Sequence, residues 1–420
     1  MQVLGLPTTT TPFVYTETTT NQQINGLFHD YIDSILIQPK NSVLTAWNFA
    51  LNPFQFNATA VTNTTSQTQY IADQTIIHTT GAAGSVATGE ASVANRTCLT
   101  VNGVGGQANN QFALIQYIDA ATIRPYWSYF MSSLARARIF TTNGTSLGLK
   151  CRLIYSASVP GTLSNVEPIS SWGGIDPTFS GAWTAITPLN DPVYILPNSY
   201  SSLIGSDAFT PFPFNGMQLP IMTSNTMTLG IVIYTTGNMN VADSVVFDRV
   251  SLVPNYYAID ETPKTFNQTL SDCEYYYEKS YPYNIIAGTA LTVSGELTAE
   301  MLGFQLNPND QVRSRSFTLR YRTVKRTNTP QILLYSPVSG IQGNVFTSLY
   351  QLSTLNAGSA DSVFAAYFTQ TQNSRNSSVY VSATGVITSM VGALGTTVDA
   401  APEGFISYHY TADARLGLVP

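Results

Sequence analysis

The chain has 420 residues, enough for two or three domains with separate cores. Hydrophobic residues make up 44% and charged residues only 10%, so polarity is carried by Thr, Ser, Asn, Gln and Gly, a neutral, β-forming surface unlike that of a cytosolic enzyme. A net charge of −6 argues against a nucleic-acid partner, which needs clustered Lys and Arg.

Cys98, Cys151 and Cys273 are too few and too scattered for a disulfide framework and read as buried, reduced thiols. Without a CxxC pair, and with His29, His78 and His409 far apart, no metal or cofactor site is expected. No apolar run reaches the length of a membrane span, and the N-terminus lacks a basic region followed by an apolar core. The expectation is a protein made in a cytoplasm and released by lysis, with no membrane partner.

In chain order, residues 1–40 read as an arm and a short helix. Thr8 to Thr11, Pro12 and Thr16 to Thr20 cannot make a core. Thr20-Asn21-Gln22-Gln23 is a capping box, and Ile24, Phe28, Tyr31 and Ile35 then form an apolar stripe closed by Pro39. That stripe serves oligomerisation or docking, or else lies on its own domain. Residues 41–258 read as a first β-sandwich, with strands such as Phe112 to Ile118, Leu149 to Tyr155 and Met227 to Tyr234 between Gly-, Asn- and Pro-rich loops. Residues 259–284 form a linker. There, Thr265 to Ser280 predicts a helix with Phe266, Leu270, Cys273 and Tyr277 on its buried face and Tyr275, Tyr276 and Tyr281 off it. Residues 285–420 read as a second sandwich, with strands at Ser316 to Tyr321, Gln331 to Tyr335 and Gly404 to Tyr410. The fold class is therefore all-β: two antiparallel, jelly-roll-like sandwiches joined by a helix.

No G-x-S-x-G, H-E-x-x-H or Walker sequence occurs, and Gly103-Val104-Gly105-Gly106 lacks the Lys and helix of a phosphate cradle. Asp191, Asp207, Asp243, Asp248 and Glu296 show no spacing that marks a hydrolase pair, and catalytic residues are not expected. Trp172 and Trp183 sit in Gly-, Ser- and Pro-rich stretches, where they either stack on a sugar or cover a core edge or subunit contact. The sequons at Asn57, Asn63, Asn95, Asn143, Asn267 and Asn376 arise readily in so Asn- and Thr-rich a chain and are expected to stay bare.

Several passages resemble the carbohydrate-binding-module-like virion proteins of tailed phages and large DNA viruses. Asn52-Pro53-Phe54-Gln55-Phe56 is similar to that family's opening turn, and Tyr70-Ile71-Ala72-Asp73-Gln74 to its Tyr-x-x-Asp-Arg segment, with Gln74 in place of Arg. Val246 to Leu252 resembles the strand that closes the sandwich. Cys273-Glu274-Tyr275-Tyr276-Tyr277-Glu278-Lys279-Ser280-Tyr281 resembles its Cys-x-Arg-Tyr-Tyr-Glu-Lys-Ser-Tyr helix, with Tyr275 where Arg is common. Tyr410-Thr411-Ala412-Asp413-Ala414-Arg415 is similar to its terminal signature. The resemblance implies a virion location and paired sandwiches, not a particular ligand. The function expected is that of a non-enzymatic appendage or head or tail fibre subunit, attached through residues 1–40. Its expected partners are copies of itself, as a homotrimer, and other virion proteins. An adhesin for host-surface glycans is the alternative, and a depolymerase the third reading.

Overall fold

The computed structural model describes residues 41–49, 61–62, 68–79, 85–91, 96–102, 111–140, 147–157, 168–173, 175–195, 209–239, 243–262, 264–302, 311–314, 317–328, 330–350, 358–363, 380–381, 385–388, 391–393 and 403–416. The arm with Ile24, Phe28, Tyr31 and Ile35, the Asn52 to Phe56 turn, the Gly103 to Gly106 loop, Asp207 and every sequon but the one at Asn267 lie outside these residues.

The protein is an all-β sandwich fold, as its composition indicates. In the first half, Val61–Thr62, Ser85–Ala91, Arg96–Asn102, Ser244–Val253, Phe130–Phe140 and Thr210–Gln218 form a six-stranded sheet in that order. Thr184–Ile186, Gly148–Ser156, Thr228–Thr235, Phe112–Ile118, Thr75–Thr79 and Thr68–Ala72 form the other sheet, with Tyr194–Ile195 also pairing to Gly148–Ser156. From Phe112 onward the long strands alternate between sheets, so each crossing ties one sheet to the other.

Period-2 alternation builds the core between the sheets. Leu149, Cys151 and Leu153 point inward from one strand, and Leu229, Ile231 and Ile233 from its neighbour. On Ser244–Val253 the inward set is Val245, Phe247, Val250 and Leu252. The three-residue step follows from a bulge between Phe247 and Arg249, which restores the facing after an odd insertion.

The other face of the second sheet is buried as well. Ile76, Ala113, Ile115, Tyr117, Ile154, Val232 and Tyr234 form an outer cluster with Ile169 and Trp183, and Trp172 and Phe179 pack against it. Ile169, Trp172 and Phe179 come from a hairpin of Ile169–Gly173 and Asp176–Phe179 laid over the sheet. This explains why Phe112–Ile118 reads as a continuous apolar run instead of an alternating one.

The second half is built around the strand Glu403–Asp413. Its first part pairs with Asn344–Tyr350 and Leu297–Leu302. Its last part pairs with Gln331–Tyr335 and with Tyr277–Lys279. Phe317–Arg320, Gly385–Thr388 and Tyr380–Val381 make a separate three-stranded sheet.

The linker helix differs from its expected extent. It runs Phe266–Tyr276, opened by a capping box in which Thr265 and Gln268 satisfy each other's backbone N–H groups. Tyr277 is extended (φ −143°, ψ 127°), and Tyr277–Lys279 continue as a strand. Its buried residues are Thr269, Cys273, Glu274 and Tyr276, whereas Phe266 is 52% exposed. The expected stripe of Phe266, Leu270, Cys273 and Tyr277 is thus corrected at its two ends. Tyr277 is buried as a strand residue, and a paired glutamate takes a place that hydrophobic periodicity assigns to an apolar side chain.

Candidate functional site

Two regions gather charge and aromatic side chains, and both involve positions legible in the sequence. The first lies on the outer face of the second sheet. Alternation turns Lys150 and Arg152 outward, opposite Leu149, Cys151 and Leu153. Both cations are buried, with side chains 3% and 7% exposed. Asp176 of the covering hairpin and Asp191 of a following turn meet them: Lys150 Nζ lies 2.8 Å from Asp176 and 3.0 Å from Asp191, and Arg152 lies 2.6 Å from Asp191. Tyr234 donates its hydroxyl to Asp176 at 2.5 Å.

Burial opposes ionisation of Asp176, but hydrogen bonds from Lys150 and Tyr234 and the Arg152 charge hold it below the usual carboxylate range. Asp191 is likewise lowered, its burial outweighed by Arg152 and Lys150. Two buried cations and two half-exposed anions therefore form a neutral, ionised set. Both aspartates stand before proline, but Asp176 is extended in the hairpin whereas Asp191 holds a positive φ of 39°.

The two tryptophans border this set. Trp183 is 5% exposed, and its ring face is covered by Tyr117 at 5.1 Å with the planes 6° apart. Trp172 is half-buried, stacked 6.2 Å from His78 and edge-on to Tyr234. Burial pushes His78 down to about 4, so it is neutral at physiological pH. Trp183 therefore presents no open face to a sugar, and Trp172 pins the hairpin to the sheet. Of the other carboxylates singled out, Asp243 and Asp248 are buried, and burial raises Glu296, which lies in the second half of the chain.

The second region is the junction made by Cys273 to Tyr281. Glu278 and Lys325 pair at 2.6 Å with both side chains fully buried. Glu278 also accepts the backbone N–H of Arg322 and the hydroxyl of Tyr410, while Lys325 donates to the carbonyls of Glu274 and Thr323. Glu274 pairs with Arg322 at 2.8 Å. Ser280 bonds to His409 Nδ1 at 2.9 Å, and Tyr281 stacks on the His409 ring at 3.7 Å. Lys279 donates to the Ile285 carbonyl, and burial pulls its pKa down to about 8. Gly295 closes this end: its φ is +80°, and a Cβ there would sit 2.1 Å from the Ser280 carbonyl oxygen.

The same segment reaches the first sandwich. Tyr276 donates to Asp119 at 2.8 Å, and Asp119 in turn caps the Ala120–Ile123 turn. The chain end packs beside it: Arg415, paired with Asp413 at 2.6 Å, lies 4.5 Å over the Tyr70 ring and 5.3 Å over that of Tyr277. Tyr70 donates to the Leu416 carbonyl, and Ala414 N–H to that of Tyr276. The Tyr70, Cys273 and Tyr410 passages, distant in sequence, thus converge on one junction.

All three cysteines are buried free thiols. Among the described residues, no cluster of His, Cys, Asp and Glu could hold a metal ion, and no helix is long and apolar enough to cross a membrane.

No protein-family model matches the chain, and no curated protein is similar to it in sequence. Among solved structures it is similar to a carbohydrate-binding module of the β-sandwich superfamily, at 10% identity over 51% of this chain and 62% of that one, with a TM-score of 0.24. A native family 12 xyloglucanase from Bacillus licheniformis aligns at 8% identity over 46% of this chain and 99% of the enzyme, with a TM-score of 0.23. The tandem CBM22-1–CBM22-2 domains of Paenibacillus barcinonensis Xyn10C align at 8% identity over 86% and 96%, with a TM-score of 0.25. Likenesses this distant carry no argument about function, and the all-β class rests on the sheets themselves.

Proposed function

We propose that the chain is a non-enzymatic structural subunit of a virus particle, an appendage or head or tail fibre whose two sandwiches project as one stiff body. The observation that carries this reading is the junction. From Cys273 to Tyr281 most side chains tie the segment to the second half, where Glu278, its central anion, accepts bonds from a cation, a backbone N–H and a hydroxyl, while Tyr276 ties it to Asp119 of the first. A buried, fully paired network fixes geometry. Chemistry would instead need a group with spare bonding capacity. The charge-poor surface suits packing among neighbouring copies. The resemblance of the Cys273 and Tyr410 passages to virion proteins supports the setting, with synthesis in the host cytoplasm and residues 1–40 as attachment.

A hydrolase is disfavoured by Asp176 and Asp191. Both are held ionised by shared cations, whereas glycoside cleavage needs one carboxyl kept protonated as the acid. The test is immunogold labelling of particles purified from the source, together with reducing-sugar assays on the full-length chain. Labelled particles and no sugar release are expected. Unlabelled particles, or turnover lost in Asp176→Asn, would overturn the reading. An adhesin on the same scaffold is the second reading, and a cleft beside the junction favours it.

A further inference from the structure

A polar cleft of about 410 Å³ opens beside the junction, between the first sandwich, the Phe266–Tyr276 helix and Thr323. We propose that it binds a neutral saccharide unit of one or two hexoses, at a site separate from Trp172 and Trp183; this rests on the adhesin reading and gives it a location.

The walls are fixed before any ligand arrives. The Tyr276–Asp119 hydrogen bond at 2.8 Å ties the helix to the first sandwich. The Tyr275 carbonyl accepts the Arg326 N–H at 3.0 Å, and its ring packs edge-on against Tyr276 at 4.9 Å. Preorganisation of this kind lowers the ordering penalty of binding.

The lining is chemically selective. Its charged residues are Lys264 and Asp272, paired at 2.8 Å, so an anionic or cationic ligand would have to break that pair. Tyr126 and Tyr275 contribute aromatic surface. Among the described residues, the hydroxyls of Tyr126, Tyr275 and Ser271 have no hydrogen-bond partner, and Thr323 Oγ1 has only a 3.4 Å contact to Glu274. Aromatic rings and idle hydroxyls in a lining whose two charges are paired match the apolar faces and ring hydroxyls of a sugar. A purely apolar ligand would strand those hydroxyls.

The test uses the full-length chain on a microarray of neutral and sialylated glycans, with saturation-transfer NMR against glucose, galactose, mannose and N-acetylglucosamine. Circular dichroism and thermal melts show that each variant is folded. The expected result is binding of a neutral saccharide that Tyr126→Ala weakens about tenfold, Tyr275→Phe weakens less, and Trp172→Ala leaves unchanged. Binding lost in Trp172→Ala but intact in Tyr126→Ala would overturn the cleft while leaving the adhesin reading. Binding of sialylated glycans alone would overturn the cleft's neutral selectivity. No saccharide binding by the folded wild-type chain would overturn both.

Discussion

The Glu278–Lys325 pair and the Lys150–Arg152–Asp176–Asp191 set use the same chemistry in opposite surroundings. In the junction pair neither side chain meets solvent. On the outer sheet face the cations are buried, but Asp176 is 47% and Asp191 38% exposed. Full burial makes each partner indispensable to the other, because an orphaned charge has no water to turn to. Half-exposed carboxylates are screened and interchangeable, since either one can serve either cation. The two regions should therefore respond very differently to the loss of one charge, and that difference can be broken or sharpened experimentally.

The largest effect should come from Glu278→Ala, which leaves Lys325 buried and unpaired and should lower unfolding free energy by about 3–5 kcal/mol in urea titrations. The Glu278→Leu/Lys325→Met double variant should recover most of that loss, since replacing both partners removes the buried charge as well as the bond. Recovery would show that the pair specifies geometry more than it stabilises.

Lys279 gives the same region a pH signature. Its folded pKa of about 8 lies below its unfolded value of about 10.5, so between these values the unfolded chain binds more protons and stability rises with pH. Lys279 should contribute roughly 2–3 kcal/mol of rise by pH 10, against which Cys151 and Cys273, and then the buried tyrosines, whose folded pKa values burial raises, pull the total downward. Melts of wild type and Lys279→Met across pH 7–10 check it: the wild type should gain roughly 2–3 kcal/mol on the variant, because Lys325, whose pKa burial also lowers, acts equally in both.

A smaller loss of about 2 kcal/mol is expected for Tyr276→Phe, which removes one hydrogen bond to the Asp119 carboxylate without opening a cavity. Smallest is Asp176→Asn, expected below about 1 kcal/mol because Asp191 still serves both cations. The lowered carboxylates work in the same pH direction as Lys279 but in the acid range. Their contribution is present above the unfolded aspartate pKa and is lost as pH falls through the folded values.

Much of the sheet structure was legible. Phe112–Ile118, Gln331–Tyr335 and the strand around Val246 to Leu252 are apolar, β-branched and bounded by loops, so local sequence and tertiary demand agree. The helix was legible in place but not in extent. Periodicity cannot see that Tyr277 leaves the helix to pair with Asp413, a partner far along the chain. The Cys273 to Tyr281 passage stood out as a motif, yet its role was hidden, because Glu278, Lys279 and Glu274 read as surface charges until Lys325, Ile285 and Arg322 are placed beside them. Asp176 was invisible for the same reason: Lys150 lies on another strand, and only the fold of the hairpin brings them together. The cleft is assembled from Tyr126, Lys264, Tyr275 and Thr323, and no local pattern links them.

If the junction makes one stiff body of two sandwiches, calorimetry of the full-length chain should show it. One cooperative transition is expected for the wild type, with calorimetric and van't Hoff enthalpies equal, and two separated transitions for Glu278→Ala. Two well-separated transitions in the wild-type chain, unmoved by Glu278→Ala, would contradict it.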